Sequence, residues 1–305
     1  MPDSRQATLD NGIVSRRDCH FMGGANAAVA EGSMEQRYYE TYYQHETRHW
    51  WFRWRFALIH DVISQIGGMP ARPRMLDAGC GTGQMLKHLQ QHGDAVGLDL
   101  SPEAIAFAAS RDAKNLVLGS VTQPPFSPGS FDIALALDVI EHVDDDRTIL
   151  KGLLELIKPG GALILTVPAY ESLWSDHDKI NHHRRRYRTE QLQSCVESAG
   201  FEVERMTYCN TLLFPVVYTI RRAQSLKRRF FPKPDAEISS DLHSYPGLLN
   251  SALYRLMLFE NRLLRRWNMP AGVSILAVAR RPLVPAIELH PISEPSSVQT
   301  PIGVA

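Results

Sequence analysis

Residues 74–93 read RMLDAGCGTGQMLKHLQQHG, and this stretch decides the fold. It is a short strand, a glycine turn and a helix in immediate succession. Glycines let the backbone turn tightly there and bring a ligand against the peptide plane. The same rhythm repeats downstream. AVGLDLSPEAIAFAASRDA (95–113) is a second strand, turn and helix, with Ser101 as N-cap, Pro102 in the first turn and Glu103 near the positive helix end. NLVLGSV (115–121) is a third strand. SFDIALALDVIEHV (130–143) is a fourth, almost continuously apolar, as a strand covered on both faces must be. Residues 144–161 supply a helix and turn, and ALILTVPAY (162–170) a fifth strand. This alternation predicts an α/β fold with a doubly wound, mostly parallel sheet carrying helices on both faces.

Working outward, Thr189 is expected to cap a helix in TEQLQSCVESAG (189–200), and FEVERMTYCN (201–210) reads as a sixth strand. GVSILAVARRP (272–282) is the last strand. Between these two, about 211–271, lies a helical insertion with a 3/4-spaced stripe of Leu249, Leu253, Leu256, Phe259 and Leu263. Toward the N-terminus, YYETYYQHETRHWWFRWRF (38–56) leads into a helix over about 46–66. Its expected buried stripe is Phe52, Phe56, Ile59, Ile63 and Ile66. The domain boundaries that follow are a flexible leader over 1–33, one domain over 34–282 with its core at 73–201 and 272–282, and a flexible tail over 283–305.

The chain has 305 residues with 33 basic and 33 acidic side chains, so its formal net charge is zero, which argues against nucleic acid as a partner. The hydrophobic content of 44% is enough for a sizeable core. Four widely spaced cysteines without a CxxC suggest neither disulfides nor a cysteine zinc site, and a cytoplasmic location is expected. No secretory signal or membrane-spanning run is visible. TLLFPVVYTI (211–220) followed by RRAQSLKRRFF (221–231) combines a short apolar run with five basic residues in nine positions. That pattern points to peripheral contact of 211–231 with the inner face of a membrane, or else to a cap helix with a solvated basic face.

Two cofactors compete for the glycine turn. A dinucleotide fingerprint is G-x-G-x-x-G, but here GCGTG (79–83) is followed by Gln84 and Met85, so the last fingerprint glycine is missing. Asp77, just before the turn, would repel a pyrophosphate and suit an α-amino group. Asp99, ending the second strand, can accept both ribose hydroxyls. These features favour S-adenosylmethionine over NAD.

At this point the chain resembles the class I, seven-stranded Rossmann-like S-adenosylmethionine-dependent methyltransferases. The pieces are LDAGCGTG (76–83), VGLDLSPEAI (96–105), PFSPGSFDIALALDVIEHV (125–143), LIKPGG (156–161) and LILTVP (163–168). The resemblance implies that Gly79, Cys80, Gly81 and Gly83 line the methionyl and ribose part of the cofactor. It implies that Asp77 faces the amino group, Asp99 takes the ribose hydroxyls and Leu100 flanks the adenine. Where the family often has an acid on the third strand, this chain has Ser120, leaving adenine to Ser120 and the Val121 amide. Asp138 ends the fourth strand beneath the sulfonium. The N-terminal aromatic helix is expected to close over the cofactor, with Tyr42, Tyr43 or Trp51 shielding the sulfonium and Arg53 or Arg55 pairing with the carboxylate.

Methyl transfer from a sulfonium needs in-line alignment and, for an oxygen acceptor, removal of a proton. His142 is one candidate base. LWSDHDKINHHRRRY (173–187) holds the other, His177, oriented by Asp176 or Asp178. Asp176, His182, His183, Arg184, Arg186 and Tyr187 are the expected acceptor-binding residues, with donors suited to a carboxylate or phosphate. His and Asp can ligate a divalent ion, but their spacing matches no metal motif and no metal is expected. A looser resemblance, carried by WWFRWR (50–55), WSDHDKINHHRRRY (174–187) and MPAGVSILAVARR (269–281), is to methyltransferases of polysaccharide or lipid-linked sugar synthesis. The leading expectation is methyl transfer to an oxygen of a small-molecule or lipid-linked acceptor. The alternatives are C- or N-methylation of a small metabolite, and a non-catalytic cofactor-binding scaffold.

Overall fold

The computed structural model describes residues 36–230 and 244–283, so the expected leader and nearly all of the tail lie outside the described residues. Seven strands form one sheet: β1 (Arg74–Ala78), β2 (Asp94–Asp99), β3 (Leu116–Leu118), β4 (Phe131–Leu137), β5 (Ile157–Pro168), β6 (Glu202–Cys209) and β7 (Ser274–Arg280). Their spatial order is β3-β2-β1-β4-β5-β7-β6. The first five run parallel, and β7 enters antiparallel between β5 and β6. The winding reverses between β1 and β4, and in open sheets of this kind ligands bind beyond the strand ends at that point.

Alternation along the central strands divides the core in two. Leu76, Ala134, Leu163 and Ala277 face α5 (Asp146–Leu156) and α7 (Thr189–Ser198) through Ile149, Leu150, Leu153, Leu192 and Val196. Met75, Ile133, Leu135, Ile164 and Leu276 face α2 (Trp50–Gln65), α3 (Gln84–Leu89) and α9 (Gly247–Leu264) through Ile59, Leu86, Leu89, Met257 and Leu264. Both faces are therefore covered, as the apolar strands require. On α4 (Pro102–Ser110), Ser101 Oγ accepts the Ala104 N–H at 3.2 Å, the expected cap. On α7 the expectation fails by one residue. Thr189 is the first helical residue, and Gln191 Oε1 reaches back to accept the Arg188 N–H at 3.0 Å.

Two helical stripes also differ from expectation. The aromatic segment breaks into α1 (Gln36–His45) and α2, where His49 Nδ1 accepts the Trp51 N–H at 3.2 Å. The buried residues of α2 are Trp50, Phe52, Trp54, Leu58, Ile59 and Val62, while Phe56, Ile63 and Ile66 are half-buried. This helix packs against α9 as well as the sheet, so more than one stripe is covered. The Trp54 indole N–H donates to Asn261 Oδ1 at 2.7 Å. On α9 the buried positions are Met257, Glu260, Asn261 and Leu264. The anticipated stripe turns outward, with Leu249, Leu256 and Phe259 exposed. Two polar side chains fix that rotation: Asn261 meets Trp54, and Glu260 Oε2 accepts the Leu212 N–H at 2.8 Å. Between β6 and α9, α8 (Phe214–Phe230) carries Val216, Tyr218, Ile220, Leu226 and Phe230 exposed. Cys80, Cys195 and Cys209 are buried free thiols.

Candidate active site

The turn after β1 is held from both sides. Gly79 has φ +77°, and a Cβ there would lie 2.6 Å from Val139 Cγ2, so the turn can only pack against the end of β4 without a side chain. Gly83 is tight for a different reason, because its Cβ would stand 2.5 Å from Ala108 Cβ on α4. It joins the turn to a helix and, like Asp99, lies outside the cavity wall. Gly81 faces open space, and its N–H donates to Asp99 Oδ2 at 2.8 Å. Asp99 Oδ1 accepts the Ser101 N–H at 2.9 Å, which fixes the carboxylate at the strand end. Asp77 is 2% exposed and its Oδ2 has no partner. Burial, with the charges of Asp99 and Glu46, pushes its carboxyl up to about 7 against the opposing pull of Arg55.

A second anchor was not legible in the sequence. Thr82 Oγ1 donates to Glu46 Oε2, and Arg111 Nη2 donates to the same oxygen at 2.9 Å, with its guanidinium 4.0 Å from the Tyr43 ring centre. The α1–α2 connection is thereby tied to the glycine turn. Arg55 continues the closure. Its Nη1 lies 2.8 Å from Asp138 Oδ2, and its guanidinium is 5.1 Å from the Trp51 ring centre. Asp138 has φ +57° and accepts the Thr166 hydroxyl at 3.2 Å, a left-handed backbone held at a strand end.

These parts enclose a cavity of about 500 Å³. One wall is Asp77, Gly79, Cys80 and Gly81 with Trp51 and Arg55. Another is His142, His177, Asn181, His183 and Arg186. A third carries an apolar patch from Leu213, just before α8, and Val217 and Ile220 on it, beside Arg221 and Gln224. Leu100 is 42% exposed. It lies with Asp99, Ser120 and Val121 outside this cavity wall, and Ser120 Oγ is 2.7 Å from Thr122 Oγ1.

The histidine wall differs from expectation in detail. Asp178 lies on α6 (Asp176–Ile180) and is fully buried. It accepts Arg186 Nε at 2.8 Å and Nη2 at 2.9 Å, and the His183 Nδ1 at 2.9 Å. Burial alone would raise its carboxyl, but His183 and the Arg186 guanidinium hold it well below the usual range. Asp178 thus orients His183. The rings of His142 and His177 stand 4.8 Å and 6.1 Å from that of His183. Burial and the neighbouring His183 bring His142 down to about 4.

Several expected acceptor contacts are structural instead. Arg184 pairs with Asp144 at 3.1 Å and lies outside the cavity wall. Tyr187 is buried in the core, where its hydroxyl donates to Asp146 Oδ2 at 2.8 Å. His182 is exposed, and neither it nor Asp176 lines the cavity. Arg186 does line it, although its donors are committed to Asp178 and the Ala169 carbonyl. Sequence reasoning missed Glu46, Asn181 and Glu141. Glu141 is fully buried, neither of its carboxylate oxygens has a hydrogen-bond partner, and its neighbour Asp138 reinforces burial in pushing its carboxyl well up.

A glycine turn flanked by Asp77 and Asp99 at the switch point of this sheet order defines the class: S-adenosylmethionine-binding α/β enzymes of class I. The cofactor is S-adenosylmethionine, and the residues fit it, since Asp77 offers a buried, unpartnered oxygen and Gly81 an open approach. Residues 51–205, just over half of the chain, match a family model described as a methyltransferase domain, and the chain belongs to that family.

Among relatives, the malonyl-[acyl-carrier protein] O-methyltransferase of Serratia marcescens is 29% identical over 55% of this chain and 69% of its own length. The norajmaline N-methyltransferase of Rauvolfia serpentina is 32% identical over 41% and 47%. The ubiquinone biosynthesis O-methyltransferase of Pseudomonas aeruginosa is 29% identical over 38% and 56%. The chain thus spans about half the length of the last two. A similar fold occurs in a chain from the complex of the Haloferax volcanii Trm112 methyltransferase activator with a methyltransferase. Its TM-score is 0.54 at 18% identity, covering 83% of this chain and 98% of that one.

Proposed function

We propose that this protein moves the methyl group of S-adenosylmethionine to an oxygen of a small acceptor with an apolar body, of the lipid-linked kind. The carrying observation is the division of one cavity into the cofactor turn, a histidine wall and the apolar start of α8. Asp77 meets the amino group, Asp99 the ribose hydroxyls, and Leu100 with Ser120 and Val121 the adenine. Arg55 and Trp51 close the methionyl end, with Arg55 held by Asp138. His177 takes the acceptor proton. His142 is too weak a base at neutral pH to do so, since an effective base is matched to the working pH. The relatives support both oxygen and nitrogen acceptors, so the acceptor atom is the point to test. Incubation with methyl-labelled cofactor and a panel of hydroxyl-, amine- and carbon-acid acceptors, with the labelled product analysed by NMR, is expected to place the label on oxygen. Label on nitrogen or carbon alone overturns the oxygen reading.

A further part of the proposal concerns α8. It carries Arg221, Arg222, Lys227, Arg228 and Arg229 with no acidic residue, Val216, Tyr218, Ile220, Leu226 and Phe230 on it are exposed, and its first half lines the cavity through Val217, Ile220, Arg221 and Gln224. This helix docks on an anionic membrane surface and admits the acceptor from it. Among the described residues no helix is long and apolar enough to cross a membrane. Flotation with vesicles containing phosphatidylserine is expected at low salt and is weakened at high salt. Absence from the floating fraction at low salt removes this part.

A further inference from the structure

We propose that Glu141, His142 and His183 form a site for one divalent transition-metal ion of the zinc, cobalt or manganese class, set in the wall of the methyl-transfer cavity. One donor atom from each residue lies within 4.8 Å of the other two. Ligands at about 2.0–2.2 Å from a shared tetrahedral ion stand about 3.3–3.6 Å apart, so side-chain rotations that move the donor atoms by about an ångström close the set.

Three independent features point to a cation. The Glu141 carboxylate is 0% exposed, and both of its oxygens lack a hydrogen-bond partner. A buried carboxyl in that state is costly as an anion unless it takes up a proton or a cation compensates it. His142 Nδ1 is likewise buried without a partner. His183 is prepared as metal-binding histidines are, with one ring nitrogen tied to a carboxylate and the other left to bind. Its Nδ1 is held by Asp178 at 2.9 Å, while its Nε2 stands 3.9 Å from Glu141 Oε1. Arg186 neutralises Asp178, so the supporting carboxylate does not itself compete for the ion. Two nitrogens and one oxygen suit zinc, cobalt or manganese rather than calcium or magnesium, which take oxygen cages.

The site rests on the methyl-transfer reading and deepens it. His142 and His183 both line the cavity, so the remaining coordination positions open toward the acceptor. An acceptor hydroxyl placed there loses its proton more readily. The acceptor O–H bond breaks and the proton passes to His177. The oxygen–carbon bond forms as the sulfur–carbon bond breaks, its electron pair returns to sulfur, and the sulfonium becomes a neutral thioether.

The test uses the full chain, stripped with EDTA and titrated with Co²⁺, read by visible absorption, with zinc as competitor. Binding of S-adenosylhomocysteine by calorimetry reads the fold and the cofactor pocket separately. One equivalent of Co²⁺ is expected, with d–d bands abolished in His183→Ala and in Glu141→Gln. In Asp178→Asn the metal affinity is expected to fall about 10- to 100-fold. The proposal is overturned if the wild-type chain shows no saturable Co²⁺ spectrum. A spectrum unchanged in both ligand variants overturns it equally. Because those residues sit on separate loops, a folding defect in one leaves the other readable. Loss of S-adenosylhomocysteine binding by the wild-type chain would instead strike the methyltransferase reading and leave the metal titration standing.

Discussion

The two halves of the cavity are built by different means. On the side of the glycine turn, the wall combines one contiguous stretch, β1 and its turn, where Gly79 and Gly81 present bare backbone, with side chains of the α1–α2 segment such as Trp51 and Arg55. On the acceptor side, the wall comes from the β4 end, the 171–188 loop, α6 and α8, and side chains do nearly everything. A backbone-built wall is tied to covalent order and tolerates little change. A side-chain wall can be re-cut for another acceptor while the sheet beneath it stays the same.

The sharpest way to break this contrast is His177→Ala. The acceptor wall is expected to lose turnover by about 10²-fold or more, while calorimetric affinity for S-adenosylmethionine stays near wild type. Unchanged turnover at saturating acceptor removes His177 as the base. On the other wall, Asp99→Ala deletes the acceptor of the Gly81 and Ser101 N–H groups as well as the proposed ribose contact. At about 1.5–3 kcal/mol for a charge-assisted hydrogen bond, cofactor affinity is expected to fall about 10- to 100-fold, read by the same calorimetry.

Asp77 gives a pH signature confined to the cofactor wall. Its carboxyl sits at about 7, and the cationic amino group prefers the carboxylate. Cofactor affinity is therefore highest above pH 7 and falls as pH drops through it, by up to about tenfold per unit. The ligand-free protein should show the opposite trend. The folded state binds the Asp77 proton more readily than the unfolded chain, so this group's contribution to stability declines as pH rises from about 4 to 7. A flat affinity profile between about pH 6 and 8 (about one unit either side of that midpoint) contradicts this placement, and Asp77→Asn should flatten it. The smallest effect belongs to α8. Leu226→Ser with Phe230→Ser, both exposed, should lower liposome partitioning about tenfold without moving cofactor affinity.

The same contrast explains what the sequence disclosed. Asp77, Gly79, Gly81 and Asp99 were legible because strand, turn and helix follow one another in the chain, so spacing reports geometry directly. The histidine-rich loop declared its chemistry but not its directions. Arg184 and Tyr187 look like acceptor ligands until Asp144 and Asp146, some forty residues earlier, are seen to take them. His183 and Glu141 come together only through the packing of two loops, and no local pattern announces that. The face of α9 was misjudged because its apolar spacing pointed one way, whereas Asn261 and Glu260 had distant partners in Trp54 and the Leu212 amide. Buried polar groups outvote a leucine stripe when each finds its bond.

The placement of β7 has a consequence for how the molecule is made. This strand is the last element of the chain described, yet it wedges between β5 and β6, and β6 has no other neighbour in the sheet. During synthesis, residues 202–209 must wait as an unzipped ribbon until some seventy later residues have emerged from the ribosome. A nascent chain halted between Cys209 and Ser274 would leave the edges of β5 and β6 unpaired at once, a sticky intermediate that chaperones are suited to shield.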